Sequence, residues 1–136
     1  MKAHRSLQEK AVASIEGAGM CLSDFAVLEV LLHKGPSPVN TIANLIGLTS
    51  GSGTTAIDRL EKRELVERRF TAEDRRARVV HLTANGRRLI TKVFAKHEED
   101  MEKAVEVLSP AEREQLIELL KKVGKGVPGN DVQQPA

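Results

Sequence analysis

The chain has 136 residues, 40% of them apolar, with 21 Lys and Arg against 19 Asp and Glu, four His, one Cys and three aromatic residues, all Phe. That length suits one domain with its own core, and a single cysteine excludes both a disulfide framework and a multi-cysteine zinc site, pointing to a reducing interior. No apolar run approaches the roughly 18 residues of a membrane span and Met1-Lys2-Ala3-His4 opens no signal peptide, so no membrane contact and a cytoplasmic location are expected. The small net charge hides an asymmetry: residues 1–58 carry −1, residues 59–92 carry +6 and residues 93–136 carry −3. A basic stretch between neutral and acidic flanks suits an electrostatic footprint for nucleic acid, or else a solvated face with no partner.

Helices come first along the chain. Leu7, Ala11, Val12 and Ile15 fall on one helical face, which Gly17 and Gly19 end. Ser23 is placed to cap a second helix with the stripe Phe25, Leu28, Leu31 and Leu32, stopped by Gly35-Pro36. Ser37 then reads as the cap of a third helix, with Pro38 at its first position and the apolar set Val39, Ile42, Ala43, Ile46, closed by Gly47. A fourth helix follows at once, capped by Thr49 or Ser50, with Gly53, Ala56, Ile57 and Leu60 on one side and Thr54, Thr55, Asp58, Arg59 and Lys62 on the other.

The period then changes. Leu65–Phe70 and Arg78–Leu82 read as strands joined by the charged connector 71–77. Thr83 caps a long helix striped by Ile90, Val93, Phe94, His97, Met101, Ala104, Val105 and Leu108. Ser109-Pro110-Ala111-Glu112 is a capping box opening a last helix striped by Leu116, Leu119, Leu120 and Val123, and the breaker-rich segment 124–136 is expected to be a disordered tail.

Two short helices around a tight turn, followed by a two-stranded hairpin, give the order of a winged helix-turn-helix within a mainly α (α+β) fold. Residues 20–83 form the winged region, residues 1–19 a flanking dimerisation helix, and residues 84–123 the long helix with a C-terminal dimerisation helix. In such a fold the second helix presents small or polar side chains to base edges. Thr54, Thr55, Arg59 and Lys62 fit that task, and Ser50 and Ser52 at its start can donate to phosphates. Arg75, Arg76 and Arg78 at the hairpin tip can carry cations into the minor groove or along the backbone. A protein-interaction module that keeps the winged fold without DNA is the alternative, and the tip arginines weigh against it. No Ser-His-Asp set, Gly-rich phosphate loop or paired carboxylates appear, so neither an enzyme nor a cofactor is expected.

The runs Leu22-Ser-Asp-Phe-Ala-Val-Leu-Glu29, Leu48-Thr-Ser-Gly-Ser52, Asp58-Arg-Leu-Glu-Lys-Arg63, Leu65-Val-Glu-Arg68, Asp74-Arg-Arg76 and Leu82-Thr-Ala-Asn-Gly-Arg87 resemble the MarR family of bacterial transcriptional regulators. The resemblance implies a homodimer with interlaced first and last helices, two winged domains on a palindromic operator in double-stranded DNA, and release by a small, often aromatic or phenolic, ligand or by an oxidant. It also implies that residues ~50–63 are the recognition helix, and that Asp74 orients Arg76 as a wing pair. Three departures stand out. Gly53 replaces a usual apolar residue, which leaves an expected void that Gly53→Val or Gly53→Ile should fill, stabilising the fold and tightening DNA binding. Glu64 replaces a usual glycine, so it must extend the helix or sit at positive φ. The helix ahead of Leu7 is short, which would trim the dimer interface. Cys21 is the candidate redox residue, with an inert thiol as the reading the residues favour. His97 reads as a core or interface group before a ligand contact.

Overall fold

A computed structural model describes residues 1–74 and 77–126. Its elements run α1 Lys2–Gly17, α2 Leu22–Lys34, β1 Ser37–Pro38, α3 Val39–Leu45, α4 Ser50–Lys62, β2 Val66–Phe70, β3 Arg78–Leu82, α5 Ala84–Ala104 and α6 Pro110–Gly126. The six helices and small sheet are those of the expected winged fold. None of the described helices is long and apolar enough to cross a membrane.

The core is assembled from the stripes. Val27, Leu28 and Leu31 of α2 meet Ile42 of α3, Ile57 and Leu60 of α4, Val66 and Val80 of the sheet, and Ile90 of α5, all essentially without exposure. At roughly 1.5–3 kcal/mol for each fully buried large aliphatic side chain, this cluster is what seats α3 and α4 against α2 and the hairpin. Helix α1 lies along α5, buries Ile15 in the core and is tied to α5 by Ser14, whose hydroxyl donates to Asp100 at 2.7 Å. Helix α6 opens as anticipated: the Ser109 N–H donates to Glu112 at 2.8 Å, and the Glu112 N–H donates back to the Ser109 hydroxyl at 3.2 Å. It buries none of its own residues, and Leu116, Ile117, Leu119, Leu120 and Val123 stay 41–64% exposed.

Helix α5 ends at Ala104, so Val105 and Leu108, expected on its stripe, lie in the turn that follows it. Four other local expectations are corrected. Ser23 does not cap α2; the helix starts at Leu22 with Cys21 as its N-cap residue and no side-chain cap bond. Ser37 does not cap α3 either. Ser37 and Pro38 form a short strand pairing antiparallel with β3 (Ser37 opposite Val80), so the sheet has three strands in the order β1-β3-β2. The Ser37 hydroxyl instead donates to the Gly35 carbonyl at 3.1 Å, and Pro38 becomes the N-cap position. A two-residue edge strand is too short to leave a period in the sequence. Helix α6 runs on to Gly126, three residues into the segment expected to be unstructured, and the remainder of that segment, residues 127–136, lies outside the described residues.

The fourth correction concerns Gly53. No void exists there. A Cβ built on Gly53 would lie 2.7 Å from the Ala43 Cβ and 3.6 Å from its Cα, so the glycine is the point where α3 and α4 cross closely. The same logic governs Gly86 in the first turn of α5, where a Cβ would stand 1.9 Å from the Leu65 carbonyl oxygen. That carbonyl accepts from the Thr83 N–H at 3.1 Å, while the Thr83 hydroxyl donates to the Glu64 carbonyl at 2.7 Å and accepts from the Gly86 N–H at 3.0 Å. The Leu-Thr-x-x-Gly run is thereby explained: threonine caps α5 and pins it to the end of α4, and glycine lets the backbones touch. Glu64 takes the second course expected of it, with φ 57°, in the left-handed region that disfavours a side chain.

Candidate nucleic-acid interface

Helix α4 starts at a working cap, where Thr49 Oγ1 accepts from the Ser52 N–H at 3.1 Å. Its inner face, Gly53, Ala56, Ile57 and Leu60, is buried, as the 100° spacing requires. Ser50, Ser52, Thr54, Thr55, Asp58, Arg59 and Lys62 are therefore all exposed on the other side. Several are already organised: Thr49 donates to the Ser52 hydroxyl at 3.0 Å, and Thr55 donates to the Gly51 carbonyl at 2.9 Å. An ordered row of hydroxyls beside an open helix N-terminus is suited to accept an anionic backbone.

Arg59 does not extend freely into solvent. Its Nε donates to both carboxylate oxygens of Asp24 at 3.1 Å, and its Nη2 donates to Asp24 and to the Ser23 hydroxyl at 3.2 Å, with Cys21 Sγ at 3.7 Å. Hydrogen bonding to Asp24 raises the guanidinium above its ordinary range. Asp24 itself is 3% exposed, and Arg63 approaches it at 3.8 Å. Cys21 is exposed and makes its contacts with Ser23 and Arg59; the described residues hold no cluster of His, Cys, Asp or Glu fit for a metal.

A second ion-pair set joins α4 to the sheet. Arg68, only 13% exposed in its side chain, donates to Asp58 at 2.6 Å and to Glu61 at 2.9 Å, and its own N–H donates to Glu61 at 3.2 Å. Two carboxylates on the outer half of α4 are thus neutralised by a cation from β2. Neither Asp24 nor Arg68 was singled out from the sequence. Each left one readable trace: Asp24 shares a helix face with Leu28 and Leu31, and Arg68 shares a strand face with Val66.

The hairpin pairs β2 with β3 in the register Val66 to Leu82 through Phe70 to Arg78. At its outer end the Arg78 guanidinium lies over the Phe70 ring, 5.1 Å from the centroid, and both are exposed. The connector is closed by Thr71, whose hydroxyl accepts from the Asp74 N–H at 3.1 Å and donates to the Asp74 carbonyl at 2.9 Å. Arg75 and Arg76 lie outside the described residues.

Behind this surface, His97 sits on the long helix edge-on to Phe25, with centroids 5.0 Å apart and its Nδ1 3.2 Å from the Ser14 hydroxyl. It borders a groove of about 520 Å³ with Leu7, Phe94, Met101, Arg113 and Leu116.

Comparison with known proteins agrees with this arrangement. The MarR family model matches residues 18–77. The HTH-type transcriptional regulator MhqR of Bacillus subtilis (strain 168) is 37% identical over 123 residues, covering 90% of this chain and 85% of its own. The chain belongs to the MarR family. Among solved structures, transcriptional regulator PA4135 matches with TM-score 0.82 at 24% identity over 93% of each chain. A mutant of E. coli MarR complexed with operator DNA matches at TM-score 0.77 and 21% identity, over 90% of this chain and 88% of that one. NadR in complex with 4-hydroxyphenylacetate matches at TM-score 0.77 and 25% identity, over 93% and 89%. Membership of the MarR family makes this a transcriptional regulator of the DNA-binding, winged-helix type.

Proposed function

We propose that the protein is a homodimeric repressor that reads a palindromic operator in double-stranded DNA and is released from it by a small aromatic or phenolic effector. The observation that carries the reading is the outer face of α4, where Ser50, Ser52, Thr54, Thr55, Arg59 and Lys62 stand exposed over a buried inner face and beside the hairpin. In this reading those residues contact the major groove and its phosphates, while Asp74, Arg75, Arg76 and Arg78 serve the wing. The MarR mutant bound to operator DNA shares the fold that the reading needs.

Dimerisation is supported by α6, which leaves five large aliphatic side chains exposed on a helix that buries nothing of its own. Release by an effector is supported by the NadR complex. The groove beside His97 offers an apolar wall rimmed by its ring, the Arg113 guanidinium and the carboxylates of Glu29, Glu98 and Glu102, chemistry that suits a hydroxylated aromatic ring. Such a regulator acts in the cytoplasm.

Selection of bound fragments from sheared genomic DNA, followed by footprinting, tests the reading. A two-fold symmetric footprint with half-sites about one helical turn apart supports it. Retention of no fragment above the level of random DNA overturns it.

A further inference from the structure

Asp24 is a buried charge that the winged fold alone does not require. It lies on the inner face of α2 at 3% exposure, where an apolar side chain would pack as well. Instead it faces two guanidiniums from successive turns of α4, Arg59 and Arg63. Its two oxygens take the Nε and Nη2 donors of Arg59, and among the described residues Nη1 makes no hydrogen bond. The Arg59 side chain remains 45% exposed. It borders a cleft of about 530 Å³ whose other walls include the hydroxyl residues Ser23 of α2, Thr49 at the cap of α4, and Ser52 and Thr55 in its first turns.

We propose that Asp24 is a positioning residue for DNA recognition, holding the Arg59 guanidinium at the cleft beside the N-terminus of α4 so that its remaining donors meet a backbone phosphate. This role rests on the DNA-binding reading above. An unrestrained arginine would have to order its long side chain on docking, whereas the fork against Asp24 fixes it beforehand. One carboxylate facing two guanidiniums also leaves the cluster with an excess positive charge, so the clasp does not cancel the attraction for phosphate. The carboxylate never touches DNA and acts only through the guanidinium.

The test is a double-mutant cycle on the affinity for a genomic fragment retained in the selection, with thermal melts on the same four proteins: wild type, Asp24→Asn, Arg59→Ala and the double variant. Asp24→Asn is expected to weaken binding roughly tenfold, and that loss is expected to vanish when Arg59 is already alanine. Equal weakening with and without Arg59 would reduce Asp24 to a support of the fold and overturn the proposal. Tighter binding by Asp24→Asn would overturn it differently, by showing that Asp24 competes with DNA for the guanidinium. If Asp24→Asn fails to fold, Asp24→Glu keeps the charge while moving the fork; it should bind more weakly than wild type only while Arg59 is present, and a loss that persists in the Arg59→Ala protein again overturns the role. A wild-type protein that retains no fragment removes the DNA-binding reading itself, and this role with it, which separates the two failures.

Discussion

Gly53→Ala decides how α3 and α4 are held together. In an open helical position the change would be favourable by about 0.8–1.0 kcal/mol, because alanine loses less backbone entropy than glycine. At Gly53 the new Cβ would sit 2.7 Å from the Ala43 Cβ, whereas carbon atoms in contact prefer roughly 3.5–4.0 Å. The obstructing atom is attached directly to the α3 backbone and cannot rotate aside, so the two helices must separate. Overpacking of this kind costs typically 1–3 kcal/mol. The cost exceeds the propensity gain over most of that range, for a net loss of up to about 2 kcal/mol, and Gly53→Val, with a larger side chain and a smaller propensity gain, should lose more. A loss of 1 kcal/mol corresponds to a fall in Tm of about 3–5 °C for a chain of this size. Because separating α3 from α4 tilts the proposed recognition surface, DNA affinity should fall as well. Thermal melts at fixed protein concentration read the effect. The double variant Gly53→Ala with Ala43→Gly should recover part of the loss by returning the room. A Gly53→Ala protein that melts above wild type, or a double variant no better than the sum of its singles, would refute the close-crossing argument.

Three further outcomes are expected. Gly86→Ala, whose Cβ would stand 1.9 Å from the Leu65 carbonyl oxygen, should destabilise at or beyond the roughly 3 kcal/mol upper end of usual overpacking, read as loss of soluble folded protein or of cooperative melting. Glu64→Gly should raise stability by up to about 1 kcal/mol, since it relieves a left-handed residue against the greater entropy that glycine loses on folding; an unchanged or lower Tm counts against strain at that position. The Asp100 carboxylate is held below its ordinary range, first by hydrogen bonding to Lys96 and then by the Ser14 hydroxyl. A carboxylate depressed in the folded state stabilises above its unfolded value, near 3.8, and the benefit is lost as the pH falls through the acid range. Asp100→Asn should therefore melt lower at neutral pH and lose less on acidification than wild type.

How far the sequence foretold this structure depends on the range of the interactions involved. The six helices, the hairpin, the Thr49 and Thr83 caps and the Ser109–Glu112 box all follow from residues within one or two turns of each other, so spacing alone exposes them. The inner face of α4 was equally legible, but the meaning of its glycine was not. A missing side chain on a buried face reads as a void unless the distance to the neighbouring helix is known, and here Ala43 already occupies the space. Ser37 and Pro38 carry the composition of a helix start, yet their backbones pair with β3, more than forty residues further along the chain. The Asp24–Arg59 clasp is of the same kind: a carboxylate on an apolar face is a visible anomaly, but which of many arginines meets it is decided only when α2 and α4 pack. The outward set on α4 was read from periodicity; that Arg59 is a fixed group and Arg68 a shield over Asp58 and Glu61 required the fold.

The most direct test of a DNA-binding surface made by α4 and the wing is the salt dependence of affinity for a selected genomic fragment, followed by fluorescence anisotropy. Between about 50 and 200 mM salt the affinity should fall by roughly 10³-fold or more, with log K linear in log salt, and Arg76→Ala or Arg78→Ala should each lower the slope by about one charge per subunit. An affinity indifferent to salt, or a slope that neither arginine variant changes, would contradict the account.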